Sequence, residues 1–183
     1  MSDESNQSTF STNARRLFVV VEVMAVLVII VVSLNAFWKA AGSVYRQVYV
    51  SRASEEAHQI VQSVRTHLVG QTATGDSLPK NLINAGLVSA DMVKRGKIVD
   101  PWGNEMRIEI NNGGLMVGFN ELGTKDCTRL IAEISNRGQM DGLKNILSLT
   151  GQNITVFPPH NNELEQACRG RHNLVAFFYK VKN

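Results

Sequence analysis

The sequence has few of the residues and motifs that indicate catalysis or metal binding. Its four histidines lie in no recognisable motif, and no G-x-S-x-G, H-E-x-x-H or P-loop pattern occurs in its 183 residues. The two cysteines, Cys127 and Cys168, do not form a C-x-x-C pair, and with His172 they would still need two more ligands for a zinc site. We therefore expect neither an enzyme nor a metal site, and no cofactor is indicated.

Strong charge is also missing. The net charge is +3 with a pI near 9.0, and no run of Lys and Arg is longer than two residues. This balance is too mild to predict nucleic-acid binding and is typical of an ordinary solvated surface. Hydrophobic residues make up 44% of the chain and are spread beyond the N-terminal run, so the rest of the chain is expected to be globular.

Proline is absent until Pro79, and only Gly42 interrupts the preceding region. A single helix from about Phe18 to Leu68 is therefore expected. Its second half has apolar residues at spacings of three and four, which predicts one buried face. That face comprises Val44, Val48, Ala53, Ala57, Ile60, Val61, Val64 and Leu68, and the opposite polar face carries Arg52, Glu55, Glu56, Gln59 and Arg65.

The first half of this helix is apolar on nearly all sides, from Leu17 to Leu34 and on to Trp38. About 20 such residues cross a bilayer. Arg15 and Arg16 precede the run and only Lys39 follows closely, which predicts a cytoplasmic N-terminus and an exported C-terminal part. The run is longer than the apolar core of a cleaved signal peptide and no clear A-x-A site follows, which favours an uncleaved anchor.

Glu22 is the one ionisable residue inside the apolar run. Two interpretations remain open from the residues alone. The first is a tolerated charge near the cytoplasmic boundary. The second is a charge that pairs with a partner chain, since carboxylates within membrane helices are costly and are usually paired.

The predicted organisation has three parts. Residues 1–17 form a cytoplasmic leader, disordered over 1–16, residues 18–38 form the transmembrane half of the helix, and residues 39–183 form one exported domain. After a loop over 70–76 we expect short helices at Leu78–Ile83, Ala90–Lys94, Cys127–Ile134, Leu143–Leu147 and Glu163–Ala167. We expect strands at Met106–Ile110, Leu115–Phe119, Asn153–Phe157 and Leu174–Val181, with a hairpin turn at Asn111–Gly114 and Trp102 closing the edge of the core. The fold class is α+β with a mainly antiparallel sheet.

Cys127 and Cys168 have a simple interpretation if the domain is exported. An even number of cysteines in an oxidising compartment predicts a disulfide. In the chain-entropy model, closing this loop would stabilise the folded state by about 4 kcal/mol. The alternative is a pair of unrelated buried thiols.

The stretch Phe18–Met24, followed by an unbroken apolar run, resembles the start of a mature type IV pilin. The resemblance implies that a prepilin peptidase cuts between Leu17 and Phe18 and that Glu22 serves assembly. The long half-exposed helix, the antiparallel sheet and the two cysteines framing the C-terminal third agree with that family. The 17-residue leader and the helix-rich Cys127–Cys168 segment look most like the type IVb subclass.

The resemblance also implies partners and a location. The protein would be a single-pass inner-membrane protein, N-terminus inside, before the assembly machinery extrudes it into an extracellular homo-oligomeric filament used for adhesion, aggregation or conjugation-type contact. In the filament, Glu22 of one subunit would meet the Phe18 amine of a neighbour, and Val19–Leu34 would supply most of the cohesion.

One position departs from the family pattern. Pilin precursors have Gly immediately before the cut, whereas this chain has Leu17, and no glycine precedes Gly42. Three alternatives remain open at this point: the peptidase accepts Leu17, the sequence was altered there, or the protein stays uncut and does not polymerise normally. Two other roles also fit the sequence, a pseudopilin of a secretion or DNA-uptake system and a non-polymerising, membrane-anchored periplasmic binding or enzymatic domain.

Overall fold

The N-terminal region forms one continuous helix, α1, over Ser5–His67. The structure, a computed structural model, describes residues 5–67, 77–111, 114–138 and 142–181. Helix α1 begins before the expected start at Phe18, so the expectation of a disordered leader is wrong from Ser5 onward. The physical reason is that a formed helix propagates readily where neither proline nor glycine stops it. Leu68 and the predicted loop over 70–76 lie outside the described residues.

The chain forms two compact units, residues 1–45 and 46–183. The first contains the N-terminal part of α1. The second, which we call the head, contains the rest of α1 and every other element. Its helices are α2 (Ser77–Asn84), a 3-10 turn at Ala90–Met92, α3 (Thr124–Gly138) and α4 (Asn161–Ala167).

The head is built on a five-stranded antiparallel sheet in the order β3-β4-β7-β5-β6. Its strands are β3 (Arg107–Asn111), β4 (Gly114–Leu122), β5 (Leu143–Ser148), β6 (Asn153–Ile154) and β7 (Asn173–Lys180). A separate ribbon pairs β1 (Val93–Lys94) with β2 (Lys97–Ile98). The predicted β3–β4 hairpin and the C-terminal strand are confirmed, although residues 112 and 113 of the turn lie outside the described residues.

The segment Leu143–Leu147 is a strand, and the predicted helix there is wrong. Leu143 and Ile146 both face the core although they are three residues apart, a spacing typical of a helix. The cause is an irregularity in the pairing of β5 with β7 between Leu143 and Asn145, where an extra residue shifts the alternation.

Strand β6 is shorter than the predicted strand Asn153–Phe157. It pairs with β5 only opposite Ile146 and Leu147, and the irregularity in β5 lies next along the ladder. Val156 is 60% exposed. The chain therefore leaves the sheet edge before Pro158 is reached.

One face of α1 provides the helical side of the core. It buries Ala53, Ala57, Ile60, Val61 and Val64, as the spacing predicted. The first two positions of the predicted stripe, Val44 and Val48, are instead 61% and 57% exposed. Sheet, α2 and α3 residues complete the core, which includes Leu78, Leu82, Phe119, Leu130, Ile131 and Phe177. Trp102 packs at its margin, as expected.

The disulfide between Cys127 and Cys168 is formed, and both cysteines are fully buried. Their Cα atoms are 5.8 Å apart, and the bridge joins α3 to the residue that follows α4. The bridge therefore holds α4 and the residues that follow it against α3.

Replacing Cys127 and Cys168 together with serine should lower the free energy of unfolding by about 2–4 kcal/mol, because the unfolded chain regains loop entropy. Thermal unfolding of the full-length protein in detergent, followed by near-UV circular dichroism, measures the change. Reductant should reproduce it in the unsubstituted protein. An unchanged melting curve in both experiments would contradict a stabilising bridge.

Candidate functional site

The first unit displays a long apolar surface that nothing in the described structure covers. The stretch Val21–Trp38 has 18 residues with a mean hydropathy of 2.3, and none of it is buried. Its large side chains are about half exposed or more, for example Leu27 at 51% and Ile29 at 65%. Such a surface is unfavourable in water, and by length and composition the stretch can cross a bilayer.

Glu22 lies in the first turn of this stretch with its side chain exposed. Leu17 and Phe18, the residues of the predicted cleavage site, lie in the same helix. Phe18 and Glu22 are four residues apart in α1, which is about one helical turn. The arrangement places the acid one turn from the amine that a cut after Leu17 would create.

Apolar exposure continues on α1 beyond the membrane-length stretch. Tyr45 is 67% exposed near the end of the first unit, and Val48 and Tyr49 are 57% and 40% exposed in the second. The head begins to cover the helix at Val50, which is 5% exposed. The apolar side chains at the start of the head's part of α1 are thus also free to contact lipid or another chain.

The head buries an ionisable side chain that was expected to be exposed. Glu56, expected on the polar face, is only 6% exposed. Its Oε1 accepts a hydrogen bond of 3.0 Å from Arg52 Nε, and its Oε2 has no partner among the described residues. Arg52 also contacts Asp91, next to β1. A sequence signal existed, because Glu56 is three residues after Ala53 and four before Ile60, the spacing of the buried face.

Burial raises the pKa of Glu56 to about 7, against the opposing effect of Arg52. Asp100 is also buried, and burial raises its pKa although the backbone N–H of Asn104 donates to Oδ1 at 2.9 Å. The nearby carboxyls of Asp91 and Asp100 add to the cost of ionising Glu56. This cluster ties α1 to the loop that carries β1 and β2.

No protein-family profile and no curated protein sequence matches the chain. Among solved structures, the type IV b pilin from Salmonella typhi aligns with a TM-score of 0.57 at 16% identity, covering 73% of this chain and 99% of that one. TcpA, a type IV pilin from Vibrio cholerae El Tor biotype, aligns with a TM-score of 0.51 at 17% identity, covering 72% and 99%. The chain has the type IV pilin fold.

The comparison confirms the α+β class and the type IV pilin-like fold that the resemblance implied. Nearly the whole of each compared pilin is matched, and about a quarter of this chain lies outside the match. Both compared structures are pilins and neither is described as an enzyme. Among the residues that the structure describes, no cluster of three His, Cys, Asp or Glu side chains is placed to hold a metal ion.

The Glu56 carboxyl should make the head of this pilin fold less stable as pH rises. Its pKa of about 7 in the folded protein exceeds the ordinary value near 4.3, so the folded state binds more protons between these two pH values. The free energy of unfolding should therefore fall by about 1–3 kcal/mol across this range. Glu56→Gln should remove most of this slope in denaturant titrations of the full-length protein in detergent.

Glu55→Gln is the matched control, because the Glu55 side chain is 70% exposed on the same helix. The control should keep the pH dependence of the unsubstituted protein. Equal slopes in Glu56→Gln and in the unsubstituted protein would show that Glu56 is not held neutral by burial.

Proposed function

We propose that the protein is a structural subunit, major or minor, of a type IVb-like pilus. The observation that carries the proposal is an uncovered apolar helix with one acid near its start, on a chain whose head has the type IV pilin fold. The type IVb assignment is supported by one compared structure and by the two helices and two strands that the Cys127–Cys168 bridge encloses. The subunit is stored in the inner membrane and then extruded into a filament.

The uncovered apolar surface of α1 drives both stages. In the membrane, lipid covers Val21–Trp38. In the filament, the same side chains pack against copies of the helix, so apolar surface leaves lipid without entering water. The exposed Val48 and Tyr49 extend this contact into the head.

Glu22 fixes the register of that packing. A carboxylate among apolar helices is unfavourable unless it meets a cation, and the α-amino group of Phe18 on a neighbouring chain supplies one after cleavage. Removing one partner leaves the other charge unpaired in a low-dielectric setting, which costs more than losing both.

Cleavage between Leu17 and Phe18 is the step that creates the amine. Mass spectrometry of the protein purified from its host membrane should show a chain that starts at Phe18. Leu17→Gly should raise the cut fraction, because glycine removes the side chain beside the scissile bond. A host lacking prepilin peptidase is the control, in which both proteins should stay full length.

An intact N-terminus in both proteins, in a host with active peptidase, would instead favour a non-polymerising membrane-anchored head. The specific feature that favours this second candidate is Leu17 in the place where pilin precursors carry glycine.

Glu22→Ala should abolish filaments while leaving the subunit folded and in the membrane, because the neighbour's amine loses its counter-charge. Sheared surface material and membrane fractions, compared by immunoblotting, give the two readouts. Glu55→Ala, a change of an exposed acid on the same helix, should leave the filament yield unchanged. A normal yield from Glu22→Ala would remove the proposed mechanism.

A further inference from the structure

Five cations from distant parts of the sequence gather at one end of the head. We call this the basic end, and it consists of Arg46, Lys125, Arg129, Arg169 and Arg171. All five are exposed, and none forms an ion pair with a residue that the structure describes. Unpaired cations on one end of a domain form a surface suited to an anionic partner.

The direction of α3 along α1 places Lys125 and Arg129 at this end. Arg137, in the last turn of α3, donates to Glu55 Oε2 at 3.1 Å. Arg129, two turns earlier, lines a surface cleft with Gln47. Helix α3 therefore runs beside α1 in the same direction. Its first turn, with Lys125, lies at the end where α1 enters the head.

The loop after the disulfide adds two further cations. Thr124 Oγ1, at the start of α3, donates to the carbonyl oxygen of Gly170 at 3.0 Å. Arg169 and Arg171 flank Gly170, and the Cys127–Cys168 bridge holds the loop against α3. The fold therefore brings the cations of the basic end together and holds them in place.

Acidic groups at this end do not balance the cations. Glu121 pairs with His172 at 2.5 Å, and Asp126, in the first turn of α3, is half-buried. Glu133 lines the cleft with Arg129 and pairs with Arg137. Glu105 lines the cleft with Leu149 and pairs with Lys97. Five cations without ion pairs therefore face four acids, three of which already have a partner.

Aromatic and apolar side chains lie beside the basic end. Tyr49 and Trp102 are in contact, with ring centroids 6.3 Å apart. Leu149 is 69% exposed and shares a cleft with Gly103 and His172. Tyr and Trp are enriched where proteins meet the interface between lipid and water, because one part of each ring system is apolar and another polar.

We propose that the basic end of the head docks on an anionic lipid surface while the subunit is anchored. Arg46 follows Trp38 by only eight residues, a stretch that reaches at most about 28 Å when fully extended. In an anchored subunit the basic end therefore stays close to the headgroups, where anionic lipids attract Lys and Arg. The proposal rests on the membrane anchoring in the proposed function and not on filament assembly.

Quenching of Trp102 by bromolipids tests this contact in the full chain. The sequence has two tryptophans, so Trp38→Phe leaves Trp102 as the only one. This protein is placed as single copies in nanodiscs of phosphatidylcholine brominated near the headgroup, with or without phosphatidylglycerol. We expect phosphatidylglycerol to increase the quenching, and we expect salt to reverse the increase because it screens surface charges.

Two double variants in this background separate the basic end from net charge. Arg169→Glu with Arg171→Glu should lose the phosphatidylglycerol-dependent quenching. Lys144→Glu with Lys180→Glu should retain it, because these exposed cations lie near the start of β5 and at the end of β7, at the opposite end of the sheet.

The possible failures are distinct. Quenching that does not depend on phosphatidylglycerol, or equal loss in both double variants, would overturn the docking while leaving the anchor intact. A chain that does not co-elute with nanodiscs would overturn the anchor and the docking together. Since each disc holds one copy, contact between two heads cannot mimic the expected result.

Discussion

The structure depends on an imbalance along α1: the helix carries far more apolar surface than the head can cover. From Val50 to Val64 one face packs against the core, and this contact holds the sheet, α2 and α3 together. Over Val21–Trp38 no part of the described structure covers the helix. The uncovered length must find lipid or other chains.

The elements that sequence predicted well are those whose hydrophobic period is regular. The stripe Ala53–Val64 and the β3–β4 hairpin follow simple spacings of 3.6 and 2, and the structure confirms both. Strand β5 was missed because a local irregularity places Leu143 and Ile146 at helical spacing. Glu56 was missed because its charge was given more weight than its position on the buried face. In both cases the contact with a distant part of the chain decided the outcome.

The two candidate surfaces differ in how much of them a sequence can reveal. Leu17, Phe18 and Glu22 lie within six residues, so their pattern can be recognised from the sequence without knowledge of the fold. The cations of the basic end are spread from Arg46 to Arg171, and no short window of the sequence contains the cluster. The disulfide and the alignment of α3 with α1 bring them together, and both are properties of the folded head.

The central position of β7 sets the order in which the head can be completed. This strand is the last of the elements that the structure describes, yet it lies between β4 and β5 and hydrogen-bonds to both. Until it is in place, the nascent sheet is two separate halves, each with an open edge. The head therefore cannot close until Asn173–Lys180 has been synthesised, and a premature stop codon even slightly upstream of Asn173 would leave both edges free to pair with other chains.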